Sequence, residues 1–146
     1  NNPAHLPLIY AVSFGMPGIP CVYYGSEWGA AGRKEDGDPA LRVSFDAPVE
    51  NELSAWIAKL AAAKKSSKAL QYGDFSSVVL TNGQCIFKRE WEGERVLVAI
   101  NAADSPFWAG FNLGTNQAVD LITGEDVEFH DGCELPAYSA FFWKLK

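Results

Sequence analysis

The spacing of apolar and polar positions changes character several times along the chain. Leu6 to Phe14 ("LPLIYAVSF") is a continuous apolar segment whose pattern suits a helix or a strand, and Gly15, Met16, Pro17 and Gly18 end it. Ile19 to Tyr24 ("IPCVYY") is again apolar without alternation, the pattern of a strand buried on both faces, typically in a parallel sheet. Pro20 then falls at the strand start, where a missing N–H is tolerable. From Gly25 to about Glu50 no periodicity is found, and loops of that length tend to be functional. A helix is predicted from Asn51, a good cap, with Glu52 in the first turn and Leu53, Trp56, Ile57 and Leu60 at helical spacing. Lys59, Lys64 and Lys65 close it, where cations suit the helix dipole.

Beyond Ser66 the period shortens to that of strands. "SSVVL", "QCIFKREW", "RVLVAIN", "AVDLIT", "DVEF" and "SAFFWKL" are β-rich runs, divided by Asn82-Gly83, Glu92-Gly93, Thr123-Gly124 and Asp131-Gly132. The expected architecture is mixed: residues 1–65 with helices and a buried strand, then residues 66–146 as a small antiparallel all-β sandwich. No internal repeat or low-complexity segment interrupts either part.

Composition narrows the partners. A net charge of −6 argues against a nucleic-acid partner, because phosphate contacts need clustered Lys and Arg, and the cluster here (Lys59, Lys64, Lys65, Lys68) reads as a helix end. No apolar run approaches the roughly 20 residues of a membrane helix. Cys21, Cys85 and Cys133 are odd in number and widely spaced, which reads as buried free thiols and favours a reducing, cytoplasmic compartment. His5 and His130 have no Cys or His at ligand spacing, so no metal and no cofactor is expected.

At "GIPCVYYGSE" the chain resembles the eighth barrel strand of the α-amylase family of glycoside hydrolases, where Gly-x-Pro-x-x-Tyr-Tyr-Gly-x-Glu recurs. The apolar segment before it resembles the seventh barrel helix, and "GDPALR" resembles the Asp-Pro-x-x-Arg element of the following loop. "ALQYGDF", "FKREWEGERVLVAIN", "DLITGE" and "LPAYSAFFWKL" are similar to the C-terminal β-sandwich of the same enzymes. The loop "GSEWGAAGRKEDGDPALR" is similar to members acting on maltodextrins, cyclomaltodextrins or pullulan. The resemblance implies a C-terminal remnant of a (β/α)8 barrel (helix 7, strand 8, a long loop and helix 8 over residues 1–65) followed by the sandwich.

In such a barrel the site lies at the C-terminal ends of the strands, so the loop after Tyr24 would face an α-glucan oligosaccharide. Tyr24, Tyr23 and Trp28 would offer flat faces to sugar rings, and Glu27, Asp38 and Arg42 would bond hydroxyls. The resemblance implies that Asp38 and Arg42 contact the sugar on the non-reducing side of the cleaved bond. Each residue has a plainer reading. Glu27 would bind backbone amides and hold the loop, Asp38 and Arg42 would form an ion pair of little consequence, and Trp28 would pack under its own loop. Strand geometry would send one of Tyr23 and Tyr24 into the core. Glu35 and Asp36 read as solvated, and Trp91, Trp108 and Trp143 as sandwich core by alternation rather than as a sugar-binding face.

Family members are retaining enzymes with a carboxylate nucleophile and a carboxylic acid about 5–5.5 Å apart. In the resemblance these groups come from earlier barrel strands, so none of the catalytic residues is expected in this chain. The expected partners are the missing N-terminal part of the barrel and, for the chain alone, either a second copy covering its exposed apolar segment or the chain's own helix from Asn51 and sandwich, onto which that segment would refold. The alternatives are a self-sufficient carbohydrate-binding or structural module without chemistry, and a small hydrolase using Glu27 with Asp38 as its acid and base.

Overall fold

A computed structural model describes residues 2–146. In chain order its elements are α1 (His5–Gly15), α2 (Asp38–Leu41), α3 (Glu52–Ser66), α4 (Lys68–Tyr72), β1 (Asp74–Leu80), β2 (Gln84–Trp91), β3 (Glu94–Asn101), β4 (Phe107–Gly110), β5 (Gln117–Asp120), β6 (Asp126–Glu128), β7 (Gly132–Leu135) and β8 (Ser139–Leu145). The strands form a six-stranded antiparallel sheet in the order β1-β2-β3-β8-β5-β6, and β4 pairs with β7 in a separate two-stranded ribbon. The two-residue turn Glu92-Gly93 joins β2 to β3 with both residues at positive φ, which is what a tight hairpin demands.

The β3 run is continuously apolar because both faces of this central strand are covered. Val96, Val98 and Ile100 pack against Leu8, Tyr10, Ala11 and Phe14 of α1, Leu60 of α3 and Leu70 of α4. Leu97 and Ala99 face the opposite way, into a second core with Ala109, Ala118, Phe129, Leu135 and Trp143. The helices thus lie on one face of the main sheet and the β4–β7 ribbon on the other. Trp143 is buried as alternation predicts, with its ring stacked on Phe141 at 4.8 Å. Trp91 and Trp108 are not core residues; both are exposed.

The capped helix starts where the pattern places it. Asn51 Oδ1 accepts from the Ser54 N–H at 2.8 Å, and Ser54 Oγ accepts from the Asn51 N–H at 3.0 Å, a reciprocal cap. Its C-terminal lysines behave differently from one another. Lys59 and Lys65 are exposed, but Lys64 is buried, and its Nζ donates to the carbonyls of Phe14 and Met16 (both 3.1 Å) and Leu70 (2.9 Å). Beside it the buried Arg89 donates from Nη1 to Gly15 O (2.7 Å) and Leu70 O (3.2 Å), and from Nη2 to Gly73 O (2.8 Å). Two interior cations therefore donate to the carbonyls of Phe14, Gly15 and Met16 at the end of α1 and to those of Leu70 and Gly73 at α4, groups of the kind a helix terminus leaves without partners. Burial, and then the Arg89 charge, pushes the Lys64 amine below its ordinary value.

Two expectations fail in the segment after α1. Ile19 to Tyr24 forms no strand: a ladder needs a partner, none exists among the described residues, and Ile19 is 96% exposed. Without a pleat the strand alternation also lapses, so Tyr23 and Tyr24 are both exposed and neither enters the core. The cysteines are all free, but Cys21 is exposed and Cys85 and Cys133 only half-buried. Burial still raises the Cys85 thiol and pushes that of Cys133 up to about 11. No helix among the described residues is long and apolar enough to cross a membrane.

Candidate functional site

The long polar loop is organised around one aromatic, Phe45. Gly25 turns the chain at φ 83°, a left-handed conformation, and a Cβ there would lie 2.7 Å from Phe45 Cε2, so only glycine fits. A short 3-10 turn, Ser26–Trp28, follows. Trp28 is half-buried and meets Phe45 edge-on at 4.6 Å, and Tyr24 approaches the same ring at 6.4 Å. Tyr23 and Tyr24 lie against each other at 4.9 Å.

The helices hold this turn in place. Ser26 Oγ donates to Tyr23 O, which leaves the Tyr10 hydroxyl of α1 to donate to Ser26 Oγ at 2.6 Å. Asn51 of the α3 cap donates from Nδ2 to Trp28 O at 3.1 Å. α3 is tied to the start of α1 by Trp56 Nε1, which donates to Pro7 O at 3.0 Å. The sequence pattern assigned Tyr10, Asn51 and Trp56 no part in the site. Asn51 was legible as a cap, but its second bond depends on where the loop passes.

Between the aromatics and the return of the loop lies a cleft of about 420 Å³, walled by Tyr23, Tyr24, Ser26, Leu41, Val43 and Phe45. Its walls are apolar and aromatic with few polar atoms, a composition that suits ligand pockets generally. Asp38 opens α2, four residues long with Pro39 next, and Arg42 follows its end. Asp38 Oδ2 and Arg42 Nη2 are 3.9 Å apart with their side chains 81% and 69% exposed. That is the ion pair of the plainer reading, loose and solvated, worth little to stability. Glu35 and Asp36 are exposed, as expected.

Glu27 departs from its plainer reading. Its Oε2 is buried yet has no hydrogen-bond partner among the described residues, so that oxygen does not hold the loop through backbone amides. Trp28, packed on Phe45, sits nearer to its plainer reading, although it also borders shallow grooves with Asn51 and Glu52. The structure therefore brings Tyr23, Tyr24, Trp28 and Phe45 together and leaves Asp38 and Arg42 as a separate exposed pair. Among the described residues no group of three His, Cys, Asp or Glu side chains could hold a metal ion.

No protein-family model matches the chain. It is 30% identical over 101 residues to the cyclomaltodextrinase of Thermoanaerobacter pseudethanolicus, covering 67% of this chain and 17% of that protein. It is likewise 30% identical over 102 residues to an alpha-amylase of Niallia circulans, covering 68% of this chain and 19% of the relative. Among solved structures, the alpha-amylase of Geobacillus thermoleovorans, complexed with acarbose, matches with a TM-score of 0.88 at 25% identity over 100% of this chain and 34% of its own. An Anoxybacillus alpha-amylase matches with a TM-score of 0.85 at 27% identity over 97% of this chain and 32% of its own. The chain thus spans less than a fifth of the length of these curated relatives.

Proposed function

We propose, from the premise that this chain belongs to the α-amylase family of glycoside hydrolases, that it forms the C-terminal portion of an enzyme hydrolysing α-1,4 or α-1,6 glucosidic bonds in maltodextrins or starch. The observation that carries the reading is continuity. One superposition runs through α1, the loop, α3 and the sandwich as a single unit covering the whole chain. On this reading α1 and the unpaired segment Ile19 to Tyr24 are the last pieces of a (β/α)8 barrel, and the exposed apolar side chains there await neighbouring strands and helices.

The chemistry would then be divided between this chain and the rest of the barrel. A retaining glycosidase needs a nucleophilic carboxylate and a carboxylic acid flanking the bond. Those two groups would come from other strands, and this chain alone would be inactive. Its contribution is to bind. Tyr24 and Trp28 would present flat apolar faces, Glu27 would use its unpartnered oxygen as an acceptor, and Asp38 with Arg42 would bond sugar hydroxyls. The looseness of the Asp38–Arg42 pair supports that role, since at 3.9 Å its donors and acceptors are not committed to each other.

The test is Arg42→Lys in the full-length enzyme. A planar guanidinium can hold two hydroxyls in fixed orientation, whereas an ammonium is a point charge. The substitution is expected to lower kcat/KM on maltooligosaccharides while the melting temperature stays put, because the side chain is exposed. Unchanged kinetics would return Arg42 to an ordinary surface ion pair.

A further inference from the structure

On the face of the main sheet turned away from α1 and the loop, the β4–β7 ribbon carries an indole that folding does not need. Ala109 and Leu135 point inward and are fully buried, and they anchor the ribbon to the second core. Trp108, the neighbour of Ala109, is 58% exposed. Glu134, also exposed, stands directly opposite it in the antiparallel register, where cross-strand Cβ atoms are about 4.5–5.5 Å apart. The next pair on the same side is Gly110 with Gly132, and beyond the other end lie the exposed Pro106 and Pro136. None of these neighbours has a long side chain that could fold over the indole. A large aromatic left bare gains nothing from burial, whereas Trp143 of the same chain is buried.

The platform is also rigid. The fully buried Asn101 of β3 donates from Nδ2 to Ser105 O (2.9 Å), Leu135 O (3.1 Å) and Pro136 O (3.0 Å). These bonds tie both strands of the ribbon to the main sheet within three residues of Trp108 and within two of Glu134. A binding surface fixed in advance loses little entropy on engagement.

We propose that Trp108 and Glu134 form a second sugar-binding surface, in which the indole stacks on the C–H face of a glucosyl ring of an α-glucan and the carboxylate accepts its hydroxyls. The carboxylate selects the occupant. An apolar protein surface covering the indole would also strip water from the Glu134 charge without repaying it. A pyranose offers an apolar face for the indole and O–H donors for the carboxylate. A neutral ligand also suits a chain of net charge −6. That the sugar is an α-glucan rests on the function proposed above; that it is a sugar rests on the ribbon.

The experiment follows the indole N–H signals of the five tryptophans by NMR in the 15N-labelled chain, titrated with maltoheptaose and, separately, with cellohexaose. The Trp108 signal, assigned by its loss in Trp108→Phe, is expected to shift with maltoheptaose and to stay still with cellohexaose. Glu134→Ala, which keeps the indole, is expected to abolish or weaken that shift. A Trp108 signal unmoved by maltoheptaose overturns the inference. If Trp28 moves instead, the proposed function survives; if no indole moves and the full-length protein is inactive on α-glucans, both fail. Equal shifts with cellohexaose would overturn the α-glucan class. A Trp108 shift driven by protein concentration alone would make the ribbon a contact between copies and overturn the proposal.

Discussion

Glu94 shows how one side chain can fix the joint between the helical layer and the sheet. Its Oε1 accepts from the Ser67 hydroxyl and from the Ala69 N–H at 3.2 Å, so a β3 carboxylate holds the start of α4, while its Oε2 pairs with Lys144 at 3.1 Å. Burial works against the charge, but the bonds from Ser67, Ala69 and Lys144 outweigh it and hold the carboxyl below its ordinary 4.5. A depressed carboxyl contributes stability above its unfolded pKa and loses it as pH falls through the folded one. Glu94→Gln is therefore expected to cost about 1.5–3 kcal/mol near neutrality, the range for hydrogen bonds to a charged group. Denaturant melts should show that difference closing as pH drops below 4.5; a pH-independent difference would assign the effect to packing. None of this was legible in the sequence, since Glu94 lies beside a predicted turn and its partners are 25 to 50 residues away. Lys64 misled for a related reason: a lysine in a last helical turn reads as a dipole partner, and only the fold reveals that α1 ends against it.

Among the elements, α1 shows what periodicity can and cannot decide. Its segment is apolar on every side, so neither period prevailed, and the helix emerges because α3 and the sheet offer a face for Leu8, Tyr10, Ala11 and Phe14. Its last residue, Gly15, sits where the sheet comes closest, and a Cβ there would lie 2.9 Å from Phe87 Cζ and 3.0 Å from Val98 Cγ1. Propensity alone would make Gly15→Ala stabilising by up to about 1 kcal/mol. Phe87 and Val98 are both fully buried and cannot give way, so overpacking should win, at about 1–3 kcal/mol. A lower melting temperature is expected, and a higher one would contradict the close approach. The long strands β1, β2, β3 and β8 were legible because their runs are long and bounded by turn residues. β4 and β7 were missed because each is four residues with a glycine at one end, and α4 because it follows α3 after Ser67 alone. The Ile19 to Tyr24 run was read as a strand on composition, but a strand also requires a neighbour.

For the whole molecule, six of the uncovered apolar side chains fall on one stretch. Ile9, Val12, Met16, Ile19, Tyr23 and Tyr24 are all exposed between positions 9 and 24. Surface of that kind marks an interface. The chain by itself is expected to self-associate, and sedimentation at micromolar concentration should find a dimer or larger species. A strictly monomeric chain would mean that these side chains tolerate water. The sandwich could be recognised from strand and turn patterns alone. The proposed glucan contacts rest on resemblance alone, because Tyr24, Trp28, Asp38 and Arg42 are scattered along a loop with no period to bind them together.

The most direct measurement is a parallel assay of reducing-sugar release from starch and cyclomaltodextrin by the protein encoded by the complete reading frame and by this 146-residue chain. The expected result is α-glucan hydrolysis by the full-length protein and none by the chain alone, because in the proposed function the acid and nucleophile come from the rest of the barrel. Release by the chain that survives repurification and disappears in Glu27→Gln, or a full-length protein inactive on every α-glucan offered, would contradict it.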